Sequence, residues 1–361
     1  MKKQQKIFFD FLRFCIGAAK EIPVSLKDAD WKELYAIAKK QCLVGVLFDG
    51  IKKLPAEHVG MKKELLLQWM TESQMLEKTN IRLNDAAIHV SEWFRKKGFR
   101  TCILKGQGTA LMYPNPYSRT PGDIDIWVEG GDNRVISFVR SISPHEKACY
   151  HHIEFPSYKG IEVEVHYRPS FLLCFWHNRK LQKYYERVKE EQFSHRVMLG
   201  KEGEVAIPTA EFNVIFQLTH IFSHLMNEGI GLRQLLDYYY VLISDDLLLI
   251  RDRVQKKLKE LGLWKFAGGI MYIMQEVFGM PASQLIIPPN EKYGKFVLNE
   301  VLEAGNFGKH DERYWFGKSK LGHNLQRVYR DIRLVTYFPA EALCEPIFRT
   351  WHFFWRMKNK K

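Results

Sequence analysis

Residues 123–128 read Asp-Ile-Asp-Ile-Trp-Val, and this alternation restricts the chain more than any other stretch. On a β-strand successive side chains leave on opposite faces, so Asp123 and Asp125 project together. Two like charges side by side are unfavourable unless a cation lies between them. Upstream, the apolar residues 102–104 end in Lys105-Gly106-Gln107-Gly108, and a turn-rich loop over 113–122 leads to the acids. Paired carboxylates downstream of a glycine-bearing turn suggest Mg²⁺ and phosphate chemistry.

A second alternating run, residues 160–167, reads as a strand whose polar face carries Glu162, Glu164 and His166. Glu164 changes the value of the first two acids. Two acids on one strand and a third on a later strand form the constellation of a divalent-metal site for nucleotidyl transfer. Glu162 shares that face and is the other candidate for the third acid. His166 suits an orienting role beside the ligands better than ligation itself.

The rest of the chain divides into helices, a small sheet, and more helices. Residues 1–55 have helical spacing, with Asp30 as a cap. The longest helical pattern covers 61–97 and ends at Lys96-Lys97-Gly98. Strands are expected at 99–104, irregularly at 145–155, and at 205–208, with helices at 133–141 and 170–195. From Thr209 onward the pattern is helical: to about 227, then 232–244, 247–261, 264–278, 291–303, 318–336 and 340–357. The fold class is α+β (mixed α/β), a small mixed sheet flanked by helices. The natural divisions are 1–60, 61–208 and 209–361.

With 54 Lys and Arg against 41 Asp and Glu, the net charge of +13 favours anionic partners: nucleotides, nucleic acid, phosphorylated glycans or an anionic membrane surface. The six cysteines are dispersed without a CxxC pair, which suits reduced thiols in the cytoplasm. Asp10 and Arg13 interrupt the N-terminal apolar stretch, and no apolar run approaches the ~20 residues of a membrane span.

These residues together resemble the DNA polymerase β-like nucleotidyltransferase superfamily, which carries a glycine-bearing turn, an Asp-x-Asp and a third acid on a neighbouring strand. The resemblance is closest to its bacterial branch of uncharacterised nucleotidyltransferases. Leu104-Lys105-Gly106, Tyr113-Pro114, Arg119, Asp123-x-Asp125 and Glu164-x-His166 match that branch. So do Arg233-x-x-x-Asp237 and Gly305-Asn306-Phe307-Gly308. One departure stands out: the turn is Gly106-Gln107-Gly108, where the superfamily carries Gly-Ser or Gly-Gly.

The resemblance implies transfer of a nucleoside monophosphate from an NTP, ATP foremost, to an acceptor hydroxyl. Asp123, Asp125 and Glu164 would hold Mg²⁺ or Mn²⁺. Gly106, Gln107 and Gly108 would cradle phosphates, and Lys105 and Arg119 would neutralise them. Arg233 either pairs with Asp237, four residues on, or reaches a phosphate. The acceptor is a small molecule or glycan, a tRNA, or a protein. Two alternatives stay open: an inert RNA- or protein-binding platform on the same fold, and a regulatory transferase of the toxin–antitoxin kind. His220 and His224 share a helix face like a zinc pair, but without a third ligand they read as core or polar-cleft histidines. The basic aromatic tail, residues 347–361, suits packing onto the body, or contact with a membrane surface or nucleic acid.

Overall fold

Phe8, Phe11, Leu12 and Cys15 recur at helical spacing and bury one face of α1 (Lys3–Cys15). The computed structural model describes residues 2–200, 203–244, 247–308 and 320–359. Asp30 caps α2 (Trp31–Lys40), its Oδ1 accepting from the N–H groups of Lys32 and Glu33 at 3.0 and 3.2 Å. α3 (Val44–Ile51) is apolar on nearly every side and is buried accordingly. α4 (Lys63–Lys96) then runs unbroken for 34 residues and delivers the chain to the sheet.

Four strands form that sheet: β1 (Thr101–Ile103), β2 (Ile124–Val128), β3 (His152–Tyr158) and β4 (Ile161–His166), in the order β1-β2-β4-β3. β2 runs antiparallel to β1 and parallel to β4, and β3 pairs antiparallel with β4. A short α5 (Gln107–Ala110) follows β1, and α6 (Gly131–Ile142) follows β2. The period of two sorts β2. Ile124, Ile126 and Val128 pack with Ala87, Val90 and Phe94 of α4 and Val135 and Val139 of α6. Asp125 and Trp127 therefore face the other way, where Trp127 meets Phe193 and Phe212. Each such fully buried aromatic or aliphatic side chain contributes about 1.5–3 kcal/mol.

Next come α7 (Phe175–Ser194), β5 (Arg196–Leu199) and β6 (Gly203–Ala206); the last two form a separate antiparallel pair. The sequence suggests a strand near β6 but none at β5, whose Arg-Val-Met-Leu run lacks a clear polar alternation. The irregular strand expected at 145–155 lies at β3, which extends to Tyr158.

The remaining helices are α8 (Ala210–Asn227), α9 (Leu232–Leu242), α10 (Leu247–Glu260), α11 (Trp264–Glu276), α12 (Glu291–Ala304), α13 (Lys320–Val335) and α14 (Pro339–Lys358). Their core is not separate from the N-terminal one. Phe8, Leu12, Leu34 and Leu47 belong to one apolar cluster with Leu235, Tyr238, Phe266 and Phe278. Polar contacts lock this junction: Gln41 donates to the Val301 carbonyl at 3.1 Å and accepts from the Leu232 N–H at 2.8 Å. In α14, Phe348 is buried against Phe171 and Tyr150, while Phe353, Phe354 and Met357 are exposed. Lys360 and Lys361 lie outside the described residues. Among the described residues no helix is long and apolar enough to cross a membrane.

Candidate functional site

The parallel ladder sets Asp125 directly beside Glu164. Asp123 stands just before β2, and one oxygen from each of the three acids lies within 4.8 Å of the others. Glu162, one pleat earlier on β4, is exposed and outside this cluster. Three convergent carboxylates are an all-oxygen donor set, which fits a hard divalent cation such as Mg²⁺ or Mn²⁺.

Basic groups press on the acids from one side. The Leu104 N–H donates to the Asp125 carbonyl at 3.0 Å, prolonging the β1–β2 ladder and landing Lys105 next to Asp125. Lys105 Nζ lies 3.1 Å from Asp125 Oδ1. His166 Nε2 lies 3.0 Å from the same oxygen and 3.4 Å from Glu164 Oε2. Asp125 is only 2% exposed. Burial alone would raise its carboxyl, yet Lys105 and His166 outweigh burial and hold it well below the ordinary value. Asp123 goes the other way, pushed up to about 6 by the Asp125 charge and then by burial. Burial opposes a charge on His166, but its hydrogen bonds to Asp125 and Glu164 raise it to about 9. The same acids raise Lys105 against its own burial. The site is thus a cluster of strong charges, with acids whose proton affinities are driven apart.

A cleft of about 770 Å³ opens over Asp123, Glu164, His166 and Lys105. Behind Lys105 a cavity of about 40 Å³ is lined by Gly106, Arg119, Gln217, Arg233 and Asp237. His220 and His224 come from α8 into the cleft. Lys105 donates to His220 Nε2 at 3.0 Å, and the two histidines approach to 3.0 Å. Burial, then the Lys105 charge, lowers His220 well below its ordinary value.

The other residues singled out from the sequence are placed less uniformly. Gly106 has φ +60°, a conformation that favours glycine. Gly108 serves packing: a Cβ there would come within 2.9 Å of Ile207 Cγ2. Gln107 is 3% exposed and donates to the Asn80 carbonyl at 3.3 Å and to Asn84 Oδ1. Its side chain belongs to α4 rather than to the cleft.

Arg119 is committed as well. Its Nε and Nη2 donate to Asp237 Oδ1 and Oδ2, each at 2.8 Å, and Tyr113 Oη donates to the same carboxylate at 2.7 Å. Asn80 fixes the preceding loop by donating to the carbonyls of Tyr117 and Arg119 at 2.9 and 2.8 Å. Asp237 therefore meets Arg119 across 118 residues, where helical spacing suggests Arg233. Arg233 Nη1 donates to the Thr120 carbonyl at 3.1 Å. His152 is one cleft residue that sequence reasoning passed over. Its Nδ1 lies 3.3 Å from Glu164 Oε2, and the signal for it was the run Cys149-x-His151-His152.

A family model described as an uncharacterised nucleotidyltransferase matches residues 27–279, a span containing all of these groups. No curated protein matches the chain. Among solved structures, an antigenic nucleotidyltransferase-like protein from Paracoccidioides brasiliensis is similar at 15% identity and a TM-score of 0.27, over 50% of this chain and 90% of that one.

Proposed function

The chain belongs to the uncharacterised nucleotidyltransferase family, and from that premise we propose that it transfers a nucleoside monophosphate from an NTP to an acceptor hydroxyl. ATP is the donor to test first. The acceptor oxygen forms a bond to the α-phosphorus, the α–β phosphoanhydride bond breaks, and pyrophosphate leaves. The observation that carries this reading is the pairing of Asp125 with Glu164, which gathers three carboxylates beside Lys105 at the cleft.

Asp123, Asp125 and Glu164 would hold Mg²⁺ or Mn²⁺. Bound there, the ion supplies neutralisation of triphosphate charge and Lewis acidity. Glu164, facing the cleft, accepts the proton of the acceptor hydroxyl. His166 orients Asp125 and Glu164 together through its hydrogen bonds. Lys105, held by one contact to Asp125 and one to His220, is the cation at the cleft that would turn toward phosphate. Arg119 supports the cavity wall through Asp237.

A second reading, an inert binding platform on the same fold, is favoured by one observation: Gln107 and Arg119 spend their side chains on protein partners. Incubation with each labelled NTP, Mg²⁺ and cell extract separates the two. The transferase reading expects label in a product, absent with Asp125→Asn. Normal NTP binding without any labelled product would sink it. Label in protein or tRNA would point to a regulatory role, and label in a small molecule or glycan to a biosynthetic one.

A further inference from the structure

One wall of the cleft carries chemistry that the transfer reaction does not use. Cys149, His151 and His152 lie where the chain enters β3, and all three line the cleft that also holds Asp123 and Glu164. Cys149 Sγ is 3.5 Å from His151 Nδ1, and His151 Nε2 is 3.1 Å from His152 Nδ1. One ligand atom from each residue lies within 4.8 Å of the other two. In tetrahedral zinc sites, with Zn–S about 2.3 Å and Zn–N about 2.0 Å, neighbouring sulfur and nitrogen ligands stand about 3.5 Å apart. The Cys149–His151 pair already has that separation.

The backbone beneath these side chains is fixed from outside. The Cys149 N–H donates to the His152 carbonyl at 2.9 Å. The His151 carbonyl accepts from the N–H groups of Tyr167 and Arg168 at 3.0 and 3.1 Å, and Tyr167 Oη donates to the Cys149 carbonyl. The ligand atoms thus rest on a loop that metal binding need not reorganise. A second mixed cluster, Cys174, His177 and Glu341, is different in kind. There Glu341 Oε2 already accepts from the N–H groups of Leu173 and Cys174 at 2.6 and 3.0 Å, holding the chain as it enters α7.

We infer that Cys149, His151 and His152 form a binding site for a borderline-soft divalent cation of the Zn²⁺ class, distinct in chemistry from the carboxylate cluster. Thiolate and imidazole donors select zinc, whereas carboxylates select magnesium, calcium or manganese. The two sites adjoin through His152, whose Nδ1 is also 3.3 Å from Glu164 Oε2. The inference does not depend on nucleotidyl transfer, because its readout is metal binding alone.

The test uses the full-length chain, stripped with a chelator and titrated with Co²⁺, a spectroscopic stand-in for Zn²⁺, in excess Mg²⁺. The expected result is stoichiometric binding with thiolate-to-cobalt charge-transfer absorption in the near ultraviolet. Cys149→Ser should abolish that band and weaken Zn²⁺ binding by more than about tenfold. Asp125→Asn should retain the band, because only the carboxylate site is damaged. His151→Ala is the second variant, with circular dichroism checking that each protein is folded. A wild-type spectrum without the thiolate band, or a band that survives Cys149→Ser, overturns the inference.

Discussion

Two buried ion pairs flank the small cavity behind Lys105, and they differ in how completely each is matched. Arg119 grips Asp237 through two 2.8 Å contacts, and Tyr113 adds a third donor. The planar guanidinium fork fits the carboxylate, so charge and hydrogen bonds are satisfied within the protein. Lys105 touches Asp125 through a single 3.1 Å contact and shares its ammonium with His220. Asp123 and Glu164 stand beside it, so acids outnumber the lysine. The first pair is closed; at the second, three acids face Lys105 and His166, so negative charge stays in excess. The contrast follows the chemistry of the two side chains, lysine a mobile point charge and arginine a rigid fork.

Mutation separates the two pairs. Asp125→Asn carries the largest expected effect, a loss of about 10³-fold in transfer rate, read from labelled product with circular dichroism unchanged. Asp237→Ala should act on stability instead, costing about 3 kcal/mol in urea unfolding, because it strands the Arg119 charge in the interior. The double variant Arg119→Met with Asp237→Leu should recover most of that loss. A neutral Asp237→Ala would show that the Arg119 charge is not confined to this partner.

Smaller effects sharpen the contrast. Lys105→Met removes the ammonium that occupies Asp125 Oδ1, so Mg²⁺ affinity should rise about tenfold, about 1.4 kcal/mol, in calorimetry while turnover falls. Acid titration tests the closed pair separately. Burial would raise Asp237, but Arg119 outweighs it and holds the carboxyl below its ordinary 3.8. Its stabilising contribution is therefore present above that value and lost as pH falls through the lowered one. Wild type should lose this increment in acid, and Asp237→Asn should have none to lose. The smallest effect is expected from Gln107→Ala: about 1 kcal/mol of stability, with the transfer rate near wild type. A collapse in rate would return Gln107 to the phosphate site.

Much of this was legible in the sequence because strand alternation is a local signal. The period of two puts Asp123, Asp125 and Glu164 on one face, and the register of two strands brings them together. The starts of α2, α9, α10 and α11 were readable from caps and spacing, whereas the helix expected from 170 begins at Phe175. The partner of Arg119 was not, because a contact across 118 residues leaves no trace in local pattern. Gln107 was misdirected by its neighbours: next to two glycines it suggests a phosphate loop, but α5 begins there and turns its amide into Asn80 and Asn84 of α4. β5 escaped because a four-residue edge strand carries too little alternation to register.

The core shared between the first helices and the C-terminal ones has a consequence for how the chain is made. Arg13 of α1 donates to the carbonyl of Val277, and Gln41 bridges Leu232 and Val301. On the ribosome, α1 to α3 emerge well before α9, α11 and α12, so the part of their apolar surface that packs on those helices must wait for them. Nascent chains stalled before α9 should therefore bind hydrophobic dyes and chaperones through residues 7–51, and chains released after α12 should not. The position of these early helices is thus completed only by segments made long after them.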